Sequence, residues 1–310
     1  MASIRSFIIR QISRQYMKNV NPNRDVNDMR SGFEVRAGVL PPARGVDIRK
    51  ESIDGVNCEI HVPGGCDGAP LIYYLHGGAY MMGSPATHRR MLSYIARASG
   101  MRAVLPDYRL APENRFPAAL DDSLTVWRAL LKGGESTSNM VIGGDSAGGN
   151  LAMATLLSLR DARERLPAAC FLLSPWLDLA GEGESQHTRS SYDPWFKPEY
   201  LPTIARRFCT EEEIRSPLVS AVLADASGLP PTLIQVGDHE ILLSDSTRMA
   251  DNIRNAGGNV DLQIWPKMWH VFQFFIGQMP ESKKAIDDIA RFLRSELATD
   301  RMDLQKTEAA

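Results

Sequence analysis

Apolar and polar residues recur along this chain with two periods. From Val46, V-D-I-R-K-E-S-I alternates, as does Cys58 to Val62, the pattern of an antiparallel hairpin at a sheet edge. P-L-I-Y-Y-L-H is instead a short unbroken apolar run, ending in His76-Gly77-Gly78-Ala79. Met101 to Leu105 is a second, followed by the loop D-Y-R-L-A-P-E-N-R-F-P. Runs of this length fit strands buried on both faces. Helical spacing fills the intervals: Thr87 to Ala98, with Gly100 past its end, and Ala118 to Leu131, stopped by Gly133-Gly134. Asn139 to Asn150, N-M-V-I-G-G-D-S-A-G-G-N, predicts a strand, a sharp turn and the start of a helix through Leu159. Ala169 to Leu173 is the next strand, closing on Ser174-Pro175-Trp176.

Strands alternating with helices at this rhythm predict a mostly parallel sheet with both faces covered. The rhythm then stops. Ala180 to Leu229 is charged and proline-punctuated, and predicts only short helices, among them Pro198 to Phe208. It resumes with T-L-I-Q-V-G as a strand, Ser244 to Ala256 as a helix, Val260 to Trp265 as a strand and Glu281 to Leu297 as an amphipathic helix. The interruption falls between two strands of one sheet. At the carboxyl ends of parallel strands, where open α/β sheets bind ligands, it is well placed to be a lid. Residues 1–45 read as helical and then irregular. Ile4, Ile8, Ile12 and Tyr16 share one helical face, which we read as packing on the body of the protein; a helix lying on a membrane surface carries the same pattern.

Length and charge narrow the picture. A chain of 310 residues with 44% hydrophobic content suits one α/β domain with an insertion, and a net charge of −2 argues against a nucleic-acid partner. Cys58, Cys66, Cys170 and Cys209 have no metal-ligand spacing and read as reduced structural thiols of a cytoplasmic protein. Arg5, Arg10 and Arg14 interrupt the apolar N-terminus, against a secretory signal, and no run of about twenty apolar residues predicts a membrane span.

The chemistry gathers around Gly144-Asp145-Ser146-Ala147-Gly148. G-x-S-x-G between a strand and a helix is a nucleophile elbow, a strained turn that lifts a serine hydroxyl clear of the sheet. A serine needs a base, and the base a group to orient it. Of six histidines, His270 lies just after the last strand, so that nucleophile, acid and base follow in the order of an α/β hydrolase. The acid belongs to the loop D-H-E-I-L-L-S-D. Asp238 and Glu240 are both able to accept the imidazole N–H, and the physics of the pair does not choose between them. The glycine loop after the third strand, with Gly77 and Gly78, supplies N–H donors for an oxyanion, joined by the N–H of Ala147. Tyr80, Met81, Met82, Trp195, Phe196 and Leu201 are candidates either to line an acyl pocket or to pack lid against body.

Taken together, Y-L-H-G-G-A-Y, D-Y-R-L-A-P-E-N-R-F-P-A-A, G-G-D-S-A-G-G-N-L-A, S-P-W-L-D, G-L-P-P-T-L-I-Q-V-G-D-H-E-I-L-L-S-D and W-H-V-F resemble the bacterial hormone-sensitive-lipase family of carboxylesterases, in its G-D-S-A-G group. The resemblance implies an α/β-hydrolase fold with an eight-stranded, mostly parallel sheet flanked by helices. A helical cap would be built from residues 1–45 and 180–227, over catalytic segments 46–179 and 228–310. It also implies homodimers through the last strand and final helix, and no metal or organic cofactor. The expected substrates are small-molecule monoesters of short to medium chain, with arylacetamide-type amide hydrolysis, or ligand binding without catalysis, as alternatives. Two positions depart from the family pattern. Ala79 stands where a third glycine is usual, and Glu240 stands where an aspartate usually orients the base, thirty residues before His270; Asp238, thirty-two before it, breaks that register.

Overall fold

A computed structural model of the chain describes residues 2–17, 25–37 and 40–308. The edge hairpin is present: β1 (Val46–Ile53) and β2 (Val56–Pro63) pair antiparallel, from Val46 opposite Pro63 to Ile53 opposite Val56. β2 then pairs antiparallel with β4 (Arg102–Pro106). All further pairings are parallel, through β3 (Leu71–Leu75), β5 (Met140–Asp145), β6 (Ala169–Leu173), β7 (Thr232–Gly237) and β8 (Val260–Trp265). The order β1-β2-β4-β3-β5-β6-β7-β8 makes this the eight-stranded sheet that the family resemblance implied. The chain leaves β3 toward β4 and returns to β5 on the other side of β3. That reversal opens a crevice at the carboxyl ends of β3 and β5, the usual ligand site of such sheets.

Period-two alternation sends successive strand residues to opposite faces. Leu71, Tyr73 and Leu75 of β3 pack with α4 (Ala118–Lys132), α5 (Ala147–Asp161) and α8 (Leu243–Asn255). Ile72 and Tyr74 face α3 (Pro85–Ser99) and α9 (Pro280–Glu308). Met91, Leu92 and Ile95 on the inner stripe of α3 are fully buried, at about 1.5–3 kcal/mol each. That helix begins two residues earlier than its apolar periodicity predicts. Ser84 and Thr87 form a reciprocal cap, with Pro85 at the first helical position, and Gly100 ends the helix at φ 71°.

The interruption after β6 contains α6 (Ser185–Thr188), a 3₁₀ turn at Pro198–Tyr200, α7 (Leu201–Phe208) and a second 3₁₀ turn at Ala221–Leu223. Asn150, just past the elbow, anchors its return: Nδ2 donates to the Val219 carbonyl (2.7 Å) and Oδ1 accepts from Ala221 N–H (3.3 Å). The two N-terminal helices lie over the same end of the sheet. From α2 (Val26–Ala37), Arg30 donates to the carbonyls of Met81 (2.7 Å) and Ala111 (2.9 Å), and forms a bidentate pair with Glu113. From α1 (Ile4–Met17), Arg10 and Arg14 donate to the carbonyls of Tyr192 (2.6 Å) and Ser191 (2.8 Å).

The expected orientation of α1 needs correction. Its inner side carries Ser6, Ile9 and Ser13, whereas Ile4, Ile8 and Ile12 point outward. The side chain of Tyr16, the fourth residue of the expected face, lies outside the described residues. The arginine bonds to the inserted segment select that rotation. No helix among the described residues is long and apolar enough to cross a membrane.

Close approach at the elbow yields a stability prediction. A Cβ at Gly148 would stand 2.1 Å from the Leu75 carbonyl oxygen, which is backbone and has nowhere to go. Gly148→Ala should therefore destabilise by about 3 kcal/mol or more in urea unfolding. Gly68→Ala, whose Cβ would meet nothing within 4 Å, should stay within about 0.5 kcal/mol of wild type.

Candidate active site

Ser146 sits between β5 and α5 at φ 52°, ψ −124°, a conformation that side chains rarely adopt. The surroundings hold it there. Its N–H donates to the Leu173 carbonyl (2.9 Å), and its own carbonyl accepts from Gly149 (3.0 Å), Asn150 (3.2 Å) and Trp176 (3.0 Å). At the same edge of the sheet, Ala79, Tyr80, Ser174 and Val271 also have positive φ, so the strained backbone collects where the loops converge.

His270 follows β8 and Glu240 follows β7. Nδ1–H of His270 donates to Glu240 Oε2 at 2.9 Å, leaving Nε2 as the nitrogen able to act as a base. The other carboxylate oxygen, Oε1, accepts from Gly237 N–H (2.6 Å) and Ser174 Oγ–H (2.8 Å). Ser174 Oγ in turn accepts from Val271 N–H (3.0 Å), tying the acid to the backbone beside the histidine. Glu240 is fully buried and all its polar contacts converge on one geometry. Asp238, the other sequence candidate, is partly exposed and accepts from Lys267 N–H, with His239 Nε2 at 3.8 Å. It does not meet His270. Ser146 Oγ has no hydrogen-bond partner among the described residues, and the serine keeps 7% of its surface accessible.

Behind the serine lies a buried carboxylate with three donors. Asp145 Oδ1 accepts from Tyr74 Oη–H (2.8 Å) and Gly77 N–H (3.0 Å), and Oδ2 accepts from His88 Nε2–H (3.2 Å). Burial alone would raise this carboxyl, but His88, Tyr74 and the Gly77 N–H together hold it below its ordinary value. His76 is stacked on Tyr108 with ring centroids 4.2 Å apart and gives its Nδ1–H to the Gly77 carbonyl (2.9 Å). Burial and the nearby His88 push it down to about 3, so it stays neutral and structural.

This network engages one of the expected oxyanion donors: the Gly77 N–H is bonded to Asp145 Oδ1. In this loop the N–H groups of Gly78 (φ 127°), Ala79 (φ 57°) and Tyr80 (φ 60°) have no backbone acceptor among the described residues. A Cβ at Gly78 would fall 2.0 Å from the Met82 carbonyl oxygen, so glycine is obligatory there. The N–H of Ala147, at the first position of α5, is one of the unpaired donors of a helix N-terminus.

The apolar candidates divide into two groups. Trp195 and Phe196 stand edge-on to His270, with ring centroids at 6.2 and 4.8 Å. Tyr80, Met81 and Leu201 are instead buried in the main core cluster. Tyr80 stacks on Phe208 at 3.7 Å and its hydroxyl accepts from Asn150 Nδ2–H (2.8 Å). Met82, the next residue along the loop, is half-buried.

A family profile described by the α/β-hydrolase fold matches residues 72–274. The chain is an α/β hydrolase. An acetyl-hydrolase of Streptomyces hygroscopicus is 41% identical over 229 residues, 74% of this chain and 76% of that one. A crystal structure of an esterase from the bacterial hormone-sensitive-lipase family superposes with a TM-score of 0.91 at 39% identity, covering 96% of this chain and 99% of the other. EstE5, in a crystal soaked with p-nitrophenyl butyrate, superposes at 0.90 with 37% identity over 96% and 100% of the two chains. Within the α/β hydrolases the chain is thus a carboxylic ester hydrolase of the hormone-sensitive-lipase type.

Two residues of this α/β hydrolase escaped the sequence reading. Ser174 had only its place in S-P-W-L-D, beside the elbow strand, to mark it. Asp193 had the turn-forming Asp-Pro pair. Asp193 Oδ1 accepts from the N–H groups of Trp195 (2.7 Å) and Phe196 (3.0 Å), and Oδ2 from that of Ile241 (2.9 Å), next to Glu240. One carboxylate therefore holds both aromatic residues at His270 and the loop of the acid.

Burial drives the Asp193 carboxyl up to about 6, against the opposing pull of those N–H groups. A raised folded-state value contributes stability fully present below the unfolded value, near pH 4, and lost as pH rises through 6. Relative to Asp193→Asn, which cannot ionise, wild type should lose about 2 kcal/mol between pH 4 and pH 7. Urea unfolding at both pH values checks this, and a pH-independent difference would contradict it.

Proposed function

We propose that Ser146, His270 and Glu240 are the catalytic triad of this esterase. The observation that carries the reading is the 2.9 Å bond from His270 Nδ1 to a buried Glu240, beside a serine held at positive φ. Ser146 Oγ attacks the ester carbonyl while His270 Nε2 takes its proton, and Glu240 holds the imidazole in the required tautomer. The N–H groups of Gly78, Ala79 and Ala147 bind the tetrahedral oxyanion. The alcohol leaves with the proton from His270, and water repeats the sequence on the acyl-enzyme. Glutamate adds a methylene to the usual aspartate, and the bonds of Glu240 Oε1 to Gly237 and Ser174 take up the added reach.

Monoesters of short to medium chain are the substrates we infer. Trp195 and Phe196 crowd His270 from the cap side, which limits the room for a long chain. The acetyl-hydrolase name of one relative and the butyrate ester soaked into another point the same way. Residues 1–45 and 180–227 act as the cap, joined through the Arg10 and Arg14 bonds. Four free thiols support a cytoplasmic setting. A homodimer through β8 rests on its place at the sheet edge and on the exposed side chain of Ile264.

Ser146→Ala should lower kcat for p-nitrophenyl esters by about 10⁴-fold or more with unchanged unfolding. Glu240→Ala should lose about 10³- to 10⁴-fold and Asp238→Ala no more than about threefold; the reverse ranking would overturn the choice of acid. Across a series of aryl esters, kcat/KM should peak at short to medium acyl length, and a steady rise toward long chains would refute the substrate reading.

A further inference from the structure

The outward face of α1 has no role in the chemistry above. At about 100° per residue, Ile4, Phe7, Ile8 and Ile12 fall within a roughly 140° arc of that helix. They are 80%, 60%, 50% and 64% exposed. They make up half of the large hydrophobic side chains exposed among the described residues, which makes one continuous patch of what would otherwise be scattered exposure. The helix is inside out for one that merely packs on a body. It buries Ser6 and turns four of its five isoleucine and phenylalanine side chains to solvent.

Charge selects among partners for this face. The helix has three arginines and no carboxylate, and Arg5 and Arg14 flank the apolar arc on its two sides. Arg14 is bonded to a backbone carbonyl and has no ion pair among the described residues. Apolar side chains between flanking guanidinium groups suit insertion at the level of lipid headgroups, with the arginines reaching anionic phosphates. The position fits as well. Ile9, on the inner side of α1, packs in the cluster that contains Trp195, Phe275 and Trp269, and Trp195 adjoins His270. The patch therefore lies on the cap side of the site.

We propose that α1 docks this esterase, reversibly and without spanning, on an anionic lipid surface. Its cap then lies against the layer from which apolar esters partition. The docking does not depend on which carboxylate serves His270.

Vesicle co-sedimentation tests it with the full chain. Wild type should bind vesicles of phosphatidylglycerol and phosphatidylcholine at least tenfold more strongly than pure phosphatidylcholine, with affinity falling as salt rises. The variant I4Q/F7Q/I8Q/I12Q should lose at least tenfold in partitioning, while turnover of dissolved p-nitrophenyl acetate and the unfolding midpoint remain at wild-type values. Arg5→Gln alone should weaken binding to anionic vesicles and leave the soluble activity unchanged. Equal binding by wild type and the fourfold variant would overturn the proposal, as would failure of wild type to bind anionic vesicles. Analytical ultracentrifugation of the same pair covers the rival occupant: if the four substitutions dissociate a dimer and leave vesicle binding unaltered, the face belongs to a second copy of the chain and the proposal fails.

Discussion

Everything chemical in this molecule depends on one close approach, that of α5 to the strand ends beneath it. The turn at Ser146 leaves no room for a side chain at Gly148, because the Leu75 carbonyl occupies the place of its Cβ. A serine at positive φ is unfavourable by about 1–3 kcal/mol, and persists only where its neighbours over-determine it. Here they do: the Leu173 carbonyl, Trp176 N–H and the first turn of α5 all bond to the backbone of Ser146. Because the constraint is backbone on backbone, it survives changes of side chain around it. The same turn aims the N-terminus of α5, with its unpaired N–H groups, at the space above the sheet.

Two buried carboxylates stabilise the loops on either side of that turn, and they do different work. Asp145 gathers Tyr74, His88 and the Gly77 N–H, and so fixes the glycine loop from below. Glu240 gathers His270, Ser174 and the Gly237 N–H, and so fixes the His270 ring from the side. With these donors each becomes a rigid junction between strand ends distant in sequence. Asp193 repeats the device in the segment inserted after β6, where it joins Trp195 and Phe196 to the loop of Glu240. The inserted segment and the loop that bonds His270 are thereby joined through one side chain.

Much of this was legible beforehand. The two hydrophobic periods predicted the hairpin, the parallel strands and the crossover helices, since burial on one face or two writes directly into residue order. Gly144 and Gly148 around Ser146 announced the turn because only glycine tolerates it. The order of Ser146, the acid loop and His270 followed from chain topology. Less legible were element ends: the first turn of α3 has little apolar character and is set by the Ser84–Thr87 cap.

By itself, then, the sequence determined the fold class and pointed to the elbow, to His270 and to the loop after β7, because each follows from local periodicity, local sterics or chain order. Local physics left two carboxylates open and the family register favoured Glu240; in the tertiary structure Glu240 meets His270 while Asp238 accepts from Lys267 N–H. Tertiary structure also decided that Gly77 serves Asp145, that Tyr80 and Met81 belong to the core, and that α1 turns its isoleucines outward. The reason is common to all of these. Which partner a donor finds, and which face a helix buries, depend on groups brought together from far along the chain, and no local pattern carries that information.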